Sequence, residues 1–142
     1  MFTHVLRPRF SDIDVYGHVN NAVYLTYLEE ARVAFGEAVG LRRLYSRTCS
    51  TIVAHADIDY KAPAFHGDEL HIDVRAGAVG RSSFEYLYEV RRPASGTRIA
   101  VGRTVQVCFN FELDAVVRVP EEWRRLLLAD SPHSDPTLIP SS

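Results

Sequence analysis

The stretch SDIDVYGHVNNAVYLTYLEEARVAFGEAVG, residues 11–40, changes character partway along. Asp12, Asp14, Gly17, His18, Asn20 and Asn21 crowd its first part, where no apolar repeat is present. From Asn21 to about Val39, Thr26, Glu29, Glu30, Arg32 and Glu37 gather on one side. Tyr24, Leu28, Ala31, Phe35 and Ala38 recur at three- and four-residue intervals. This is the pattern of an amphipathic helix of ~20 residues and ~30 Å. Asn20 or Asn21 is placed to cap its start, and Gly40 to end it in the left-handed conformation. So wide an apolar face needs a large surface to cover it.

The flanking sequence supplies that surface. Residues 2–10 read as a first strand, with Pro8 marking an edge or irregular end. In TIVAHADIDY, residues 51–60, Ile52, Ala54, Ala56, Ile58 and Tyr60 alternate with the remaining positions. Leu70, Ile72 and Val74 then share a face, as do Phe84, Tyr86, Tyr88 and Val90, and Val101, Val105, Val107 and Phe109. AVGRS and RPASGT have the length and composition of hairpin turns. The expected order is strand, long helix, then four half-buried antiparallel strands in a meander: an α+β fold with a curved sheet wrapped around one helix. VPEEWRRLLL adds a short C-terminal helix.

With 142 residues the chain has the size of one domain, expected over residues 1–128, with a flexible tail over 129–142. A net charge of -2 and interspersed basic residues lack the dense positive surface that nucleic acid requires. No apolar run has membrane-spanning length and no signal peptide is evident, so a soluble, cytoplasmic protein is expected. Cys49 and Cys108 lie far apart in sequence, fit no C-x-x-C pattern and read as buried free thiols.

Chemistry narrows further. There is no G-x-S-x-G elbow, Walker loop, dinucleotide fingerprint or H-E-x-x-H motif, and the six histidines do not cluster at metal-ligand spacing. Neither a metal nor a cofactor is expected. His55 shares a strand with Asp57 and reads as a surface residue. The 11–21 segment is different: its carboxylates precede a helix whose first N–H groups lack partners and stabilise negative charge on an oxygen. Aspartate and asparagine are also the favoured residues of turns and caps. On residue types alone, the cap is the better supported of the two readings.

RFSDIDVYGHVNNAVYLTYLEEAR (9–32), DYKAPAFHGDEL (59–70) and GRSSF (80–84) together resemble the 4-hydroxybenzoyl-CoA thioesterase-like branch of the hotdog-fold acyl-CoA thioesterases. The likeness spans about residues 3–113. It implies a hotdog fold, dimers joined through their sheets and paired into a homotetramer, and an acyl-CoA or acyl carrier protein thioester as substrate. It also implies that Asp14 is the nucleophile or general base, with Asp12 an orienting neighbour and N–H groups around Asn21 holding the thioester oxygen. His18 and Asn20 would orient water or Asp14, or simply fix the loop. By residue type Tyr24 reads as core or acyl-pocket lining, and Glu29 reads first as part of a solvated face and second as a candidate contact for the acyl end. Arg81, Ser82 and Ser83, with Lys61 as a weaker candidate, would contact coenzyme A. Gly80 before Arg81 and serine after it depart from the basic-rich version of that segment. Two rival readings are an enoyl-thioester hydratase using Asp14 and His18, and a non-catalytic acyl-thioester binding module.

Overall fold

Helix α1 (Val23–Ala38) lies against one face of a strongly curled antiparallel sheet in the computed structural model, which describes residues 1–129. The sheet contains β1 (Phe2–Leu6), β2 (Ser50–Tyr60), β3 (Leu70–Val79), β4 (Ser83–Arg92), β5 (Thr97–Asn110) and β6 (Ala115–Val116). Its order is β1-β3-β4-β5-β2, with the short β6 also on β5. A second helix, α2 (Glu121–Ala129), closes the described chain. The expected tail lies outside the described residues, apart from Ala129 at the end of α2.

The apolar stripe of α1 does what its spacing predicts. Tyr24, Tyr27, Leu28, Ala31 and Phe35 are buried, whereas Ala38, expected on the same face, is exposed in the last turn. Phe35 sets its ring edge-on to Phe2 and Tyr86, joining the helix to β1 and β4. At ~1.5–3 kcal/mol for each fully buried large apolar side chain, this stripe is a leading source of stability. Gly40, at φ 80°, ends the helix as expected, and Leu41 N–H returns to the Gly36 carbonyl at 2.9 Å.

The start of the helix corrects the sequence reading. Asn20 accepts the Ala22 N–H on its side chain and the Val23 N–H on its carbonyl. Both donors are thereby taken before any helical turn forms, so the helix begins at Val23 and has 16 residues instead of ~20. The first strand is also shorter, ending at Leu6, because residues 10–12 turn into a single 3₁₀ turn.

The second correction concerns β2. The strands β3, β4 and β5 form the expected meander through their two hairpins, but β2 crosses over to pair with the far side of β5. It is therefore an edge strand, and most of it is exposed instead of half-buried. Irregular register at Val53/His55, Ala76/Val79 and Val90/Arg91 helps bend the sheet around α1.

His55 lies 3.0 Å from Asp57 on an exposed face. Cys49 and Cys108 are free, yet the fold sets them within hydrogen-bonding reach of each other, one at each end of distant segments. Burial and the neighbouring Cys49 push the Cys108 thiol up to about 12. No helix of the described residues is long and apolar enough to cross a membrane.

Gly102 on β5 leaves room for α1, since an added Cβ would sit 3.1 Å from Leu28 Cδ1 and 3.2 Å from the Asp57 carbonyl oxygen. Gly102→Val is expected to lose about 1–3 kcal/mol by overpacking. Urea unfolding checks this, and an unchanged midpoint would show that α1 does not press on the sheet there.

Candidate active site

The loop before α1 is anchored by a buried charge. Asp12 is 4% exposed. Its Oδ2 accepts the Tyr27 hydroxyl at 2.7 Å and the Arg9 N–H at 2.9 Å, while Oδ1 faces the Arg9 guanidinium at 3.5 Å. Burial alone would raise its pKa, but the bonds from Tyr27 and Arg9 outweigh burial and hold the carboxyl below its ordinary value. Burial and the adjacent Asp12 acceptor push the Tyr27 phenol far up. Tyr27 thus belongs to the apolar stripe by its ring and to the loop by its hydroxyl.

Asp14 is only partly buried. Its Oδ1 accepts the N–H groups of Tyr16 at 2.9 Å and His18 at 3.2 Å. Its own N–H donates to the His18 carbonyl at 2.8 Å. The reversal needs Gly17 at φ 82°, where a side chain would strain the backbone. One carboxylate oxygen is tethered by two bonds, and Oδ2 has no hydrogen-bond partner among the described residues.

A second loop, between β2 and β3, is laced to the first. Val19 N–H donates to the Ala64 carbonyl at 2.8 Å, His18 and Phe65 form a bridge, and their rings meet edge-on at 5.2 Å. Asp68 holds this loop in place by accepting the Phe65 N–H and the Arg92 guanidinium, each at 2.9 Å.

The two loops and the start of α1 enclose a cleft of about 340 Å³. Asp14, His18, Asn21, Tyr24 and Lys61 line it, and so do Val19, Tyr60, Ala62 and Pro63. Tyr60 went unnoticed as a site residue. Its ring packs edge-on against Tyr24 at 5.3 Å and its hydroxyl donates to the Asn21 carbonyl at 2.8 Å. Its alternation with Ile58 is the signal that places it on the helix side of β2. Burial pushes the Tyr24 phenol up to about 12, against the opposing effect of the Ala64 N–H, so Tyr24 stays protonated at neutral pH.

Asn20 takes the Ala22 and Val23 N–H groups, and among the described residues none accepts from Asn21 or Tyr24 N–H. Those two donors, on residues that line the cleft, can bind a carbonyl oxygen as negative charge develops on it. Asn20 itself serves the helix start and does not line the cleft.

Other predicted contacts lie elsewhere in the single chain. Glu29 is exposed and pairs with Arg32 at 3.4 Å. Arg81, Ser82 and Ser83 occupy the β3–β4 turn at the opposite end of the sheet. Tyr60 pairs with Ala100 and Ser83 with Val107, and seven residues along β5 amount to ~23 Å. The described residues contain no cluster of side chains able to hold a metal ion.

The fold is that of a known class. The model of the Thioesterase-like superfamily matches residues 8–127, and the chain belongs to that family. It is 33% identical over 117 residues to a 1,4-dihydroxy-2-naphthoyl-CoA hydrolase of Synechococcus elongatus, covering 80% of this chain and 85% of the relative. It is 26% identical over 123 residues to the long-chain acyl-CoA thioesterase FadM of Escherichia coli, covering 86% and 93%. The crystal structure of Slr0204, a 1,4-dihydroxy-2-naphthoyl-CoA thioesterase from Synechocystis, superposes with a TM-score of 0.81 at 24% identity, covering 89% and 95%, a likeness of fold.

The anchoring pair generates two expectations. Tyr27→Phe strips a donor from a buried carboxylate and is expected to cost about 1.5–3 kcal/mol in urea unfolding. Because the folded-state pKa of Asp12 is depressed, its contribution is present above the unfolded value of about 3.9 and is lost as pH falls through the lower folded value. Stability measured through that acid range should fall more gently in Asp12→Asn than in the wild type; identical slopes would contradict the assignment.

Proposed function

We propose that this protein hydrolyses the thioester of an acyl-CoA, releasing a carboxylic acid and coenzyme A, with Asp14 as the reacting carboxylate. The observation that carries this reading is the geometry of Asp14: Oδ1 is tethered by two backbone donors, Oδ2 has no partner among the described residues, and Asp14 lines one cleft with Asn21 and Tyr24, whose N–H groups are unpaired. The names of the curated relatives support the same substrate class.

Asp14 Oδ2 either attacks the thioester carbon, forming a mixed anhydride that water then cleaves, or takes a proton from a water that attacks instead. Both routes drive negative charge onto the carbonyl oxygen. Donors aimed at that position are worth about 3–4 kcal/mol each, judged from oxyanion-hole deletions in other hydrolases. Thiolate then departs without a strong acid, which fits a site whose tyrosine holds its proton. His18 donates its N–H to Asp14 and packs on Phe65, so its role is to position the loop.

The working unit in this reading is a homodimer. Strand β2 is a long edge strand with exposed Ile52, Val53 and Tyr60, the kind of edge that pairs with another chain. Two copies paired antiparallel through β2 about a two-fold axis run the Ser50 end of one strand against the Tyr60 end of the other. That places the partner's β3–β4 turn at the same end of the joined sheet as this chain's Asp14. An extended coenzyme A can then reach Arg81, Ser82 and Ser83 of the partner, whose hydroxyls and forked guanidinium suit phosphate.

Release of free thiol from aryl-, short- and long-chain acyl-CoAs tests the activity. Asp14→Asn is expected to lower kcat by about three or more powers of ten with little change in KM. Near-normal turnover in the variant would remove Asp14 from the mechanism. Hydration of crotonyl-CoA without thiol release would favour the hydratase, and tight binding without turnover would favour a carrier or sensor. Sedimentation equilibrium should return a mass of at least two chains; a monomer would leave β2 unpaired and the coenzyme contacts without their partner.

A further inference from the structure

A second, smaller cavity of about 70 Å³ lies beneath the last turns of α1, apart from the Asp14 cleft. Its floor is Gln106 of β5, a polar side chain in the core and 2% exposed. The Gln106 Nε2 donates to the carbonyls of Phe84 at 3.1 Å and Thr104 at 3.4 Å. Those two bonds fix the amide, because the flipped orientation would set oxygen against two carbonyl oxygens. Oε1 is then buried with no partner among the described residues. A fixed, buried acceptor of this kind is costly to leave unmet.

The walls supply the complementary chemistry. Arg32 from α1 is 17% exposed along its side chain and pairs with Glu29 at 3.4 Å. Arg42 follows from the turn after the helix, and Thr51 from the start of β2. A group that fits must donate to Gln106 and accept from a guanidinium or hydroxyl. A hydroxyl does both. A methyl does neither, and a carboxylate would set its negative oxygen against Oε1.

Thr51 belongs to β2, the strand through which the proposed dimer pairs. In the antiparallel pairing through β2, the beginning of this strand runs beside the end of the partner's, which carries the tyrosine that walls the partner's cleft. The cavity volume admits only a few non-hydrogen atoms, the size of a substrate's terminus and not of a whole acyl group. We infer that this cavity receives the hydroxyl-bearing far end of an acyl group whose thioester is held in the partner's cleft, with Gln106 and Arg32 selecting for that hydroxyl. The inference rests on the thioesterase reading and on the β2 pairing.

The test compares kcat/KM for two matched pairs, 4-hydroxybenzoyl-CoA against 4-methylbenzoyl-CoA and ω-hydroxyoctanoyl-CoA against nonanoyl-CoA. Wild type is expected to prefer the hydroxylated member of the pair it turns over. In Gln106→Leu the ratio of hydroxyl to methyl should fall about 10- to 100-fold, the loss expected for one buried hydrogen bond to a charged or fixed group. Because that substitution also leaves the Phe84 and Thr104 carbonyls without a donor, Arg32→Gln serves as a second variant and should lower the same ratio. A wild type indifferent to the hydroxyl, or variants that lose both members equally, would overturn the inference and leave the cavity to water alone. Absence of thiol release from every substrate would instead remove the thioesterase reading itself, and this inference with it.

Discussion

The buried carboxylate of Asp12 is the constraint on which the site depends. Its bonds to Tyr27 and Arg9 tie the loop before α1 to the helix's own apolar face. An unpaired charge at that depth would be strongly destabilising, so the loop is held in place by the cost of letting go. From this anchor the chain reaches Asp14 two residues later and Asn20, which turns the backbone into α1 and donates its own N–H to the Asp12 carbonyl at 2.8 Å.

The two aspartates divide their work by environment. Asp12 has both oxygens engaged and is shielded from water. Asp14 has one oxygen engaged and one open beside the cleft. Two carboxylates of the same type, two residues apart, become anchor and proposed reactant because Asp12 ends the 3₁₀ turn against the Tyr27 hydroxyl, whereas Asp14 sits in the reversal that Gly17 closes. The lacing of Val19 to Ala64 then brings up the loop that bears Lys61 and Pro63 and completes the cleft.

Much of the fold was legible because it follows from periodicity. The stripe from Tyr24 to Phe35 and the alternations around Ile72 and Tyr86 each identify an element and its inner face, but on β5 the face toward the core carries Thr104 and Gln106, paired with the buried Tyr86 and Phe84, and the expected Val105, Val107 and Phe109 lie on the other face. Alternation does not say which strands are neighbours, so β2 was placed beside β3 when it pairs with β5. Nor could residue types show that Asn20 would intercept two N–H groups and delay the helix, or that one tyrosine of an apolar stripe would carry a hydrogen bond to Asp12. The Asp14 loop was legible through its motif; its distance from Arg81 was not, since chain order does not reveal which end of a sheet a turn occupies. The meeting of Cys49 with Cys108 has the same origin. Gln106 lies between Val105 and Val107, whose shared face was expected inward, and the packed structure turns Gln106 inward in their place.

The most direct measurement of the central claim is a crystal structure with a ketone analogue of an acyl-CoA, in which a methylene replaces the thioester sulfur. The account predicts the carbonyl carbon within about 3–3.5 Å of Asp14 Oδ2, or of a water bonded to it, and the carbonyl oxygen on the Asn21 and Tyr24 N–H groups. A carbonyl seated away from Asp14, with its oxygen on other donors, would contradict it.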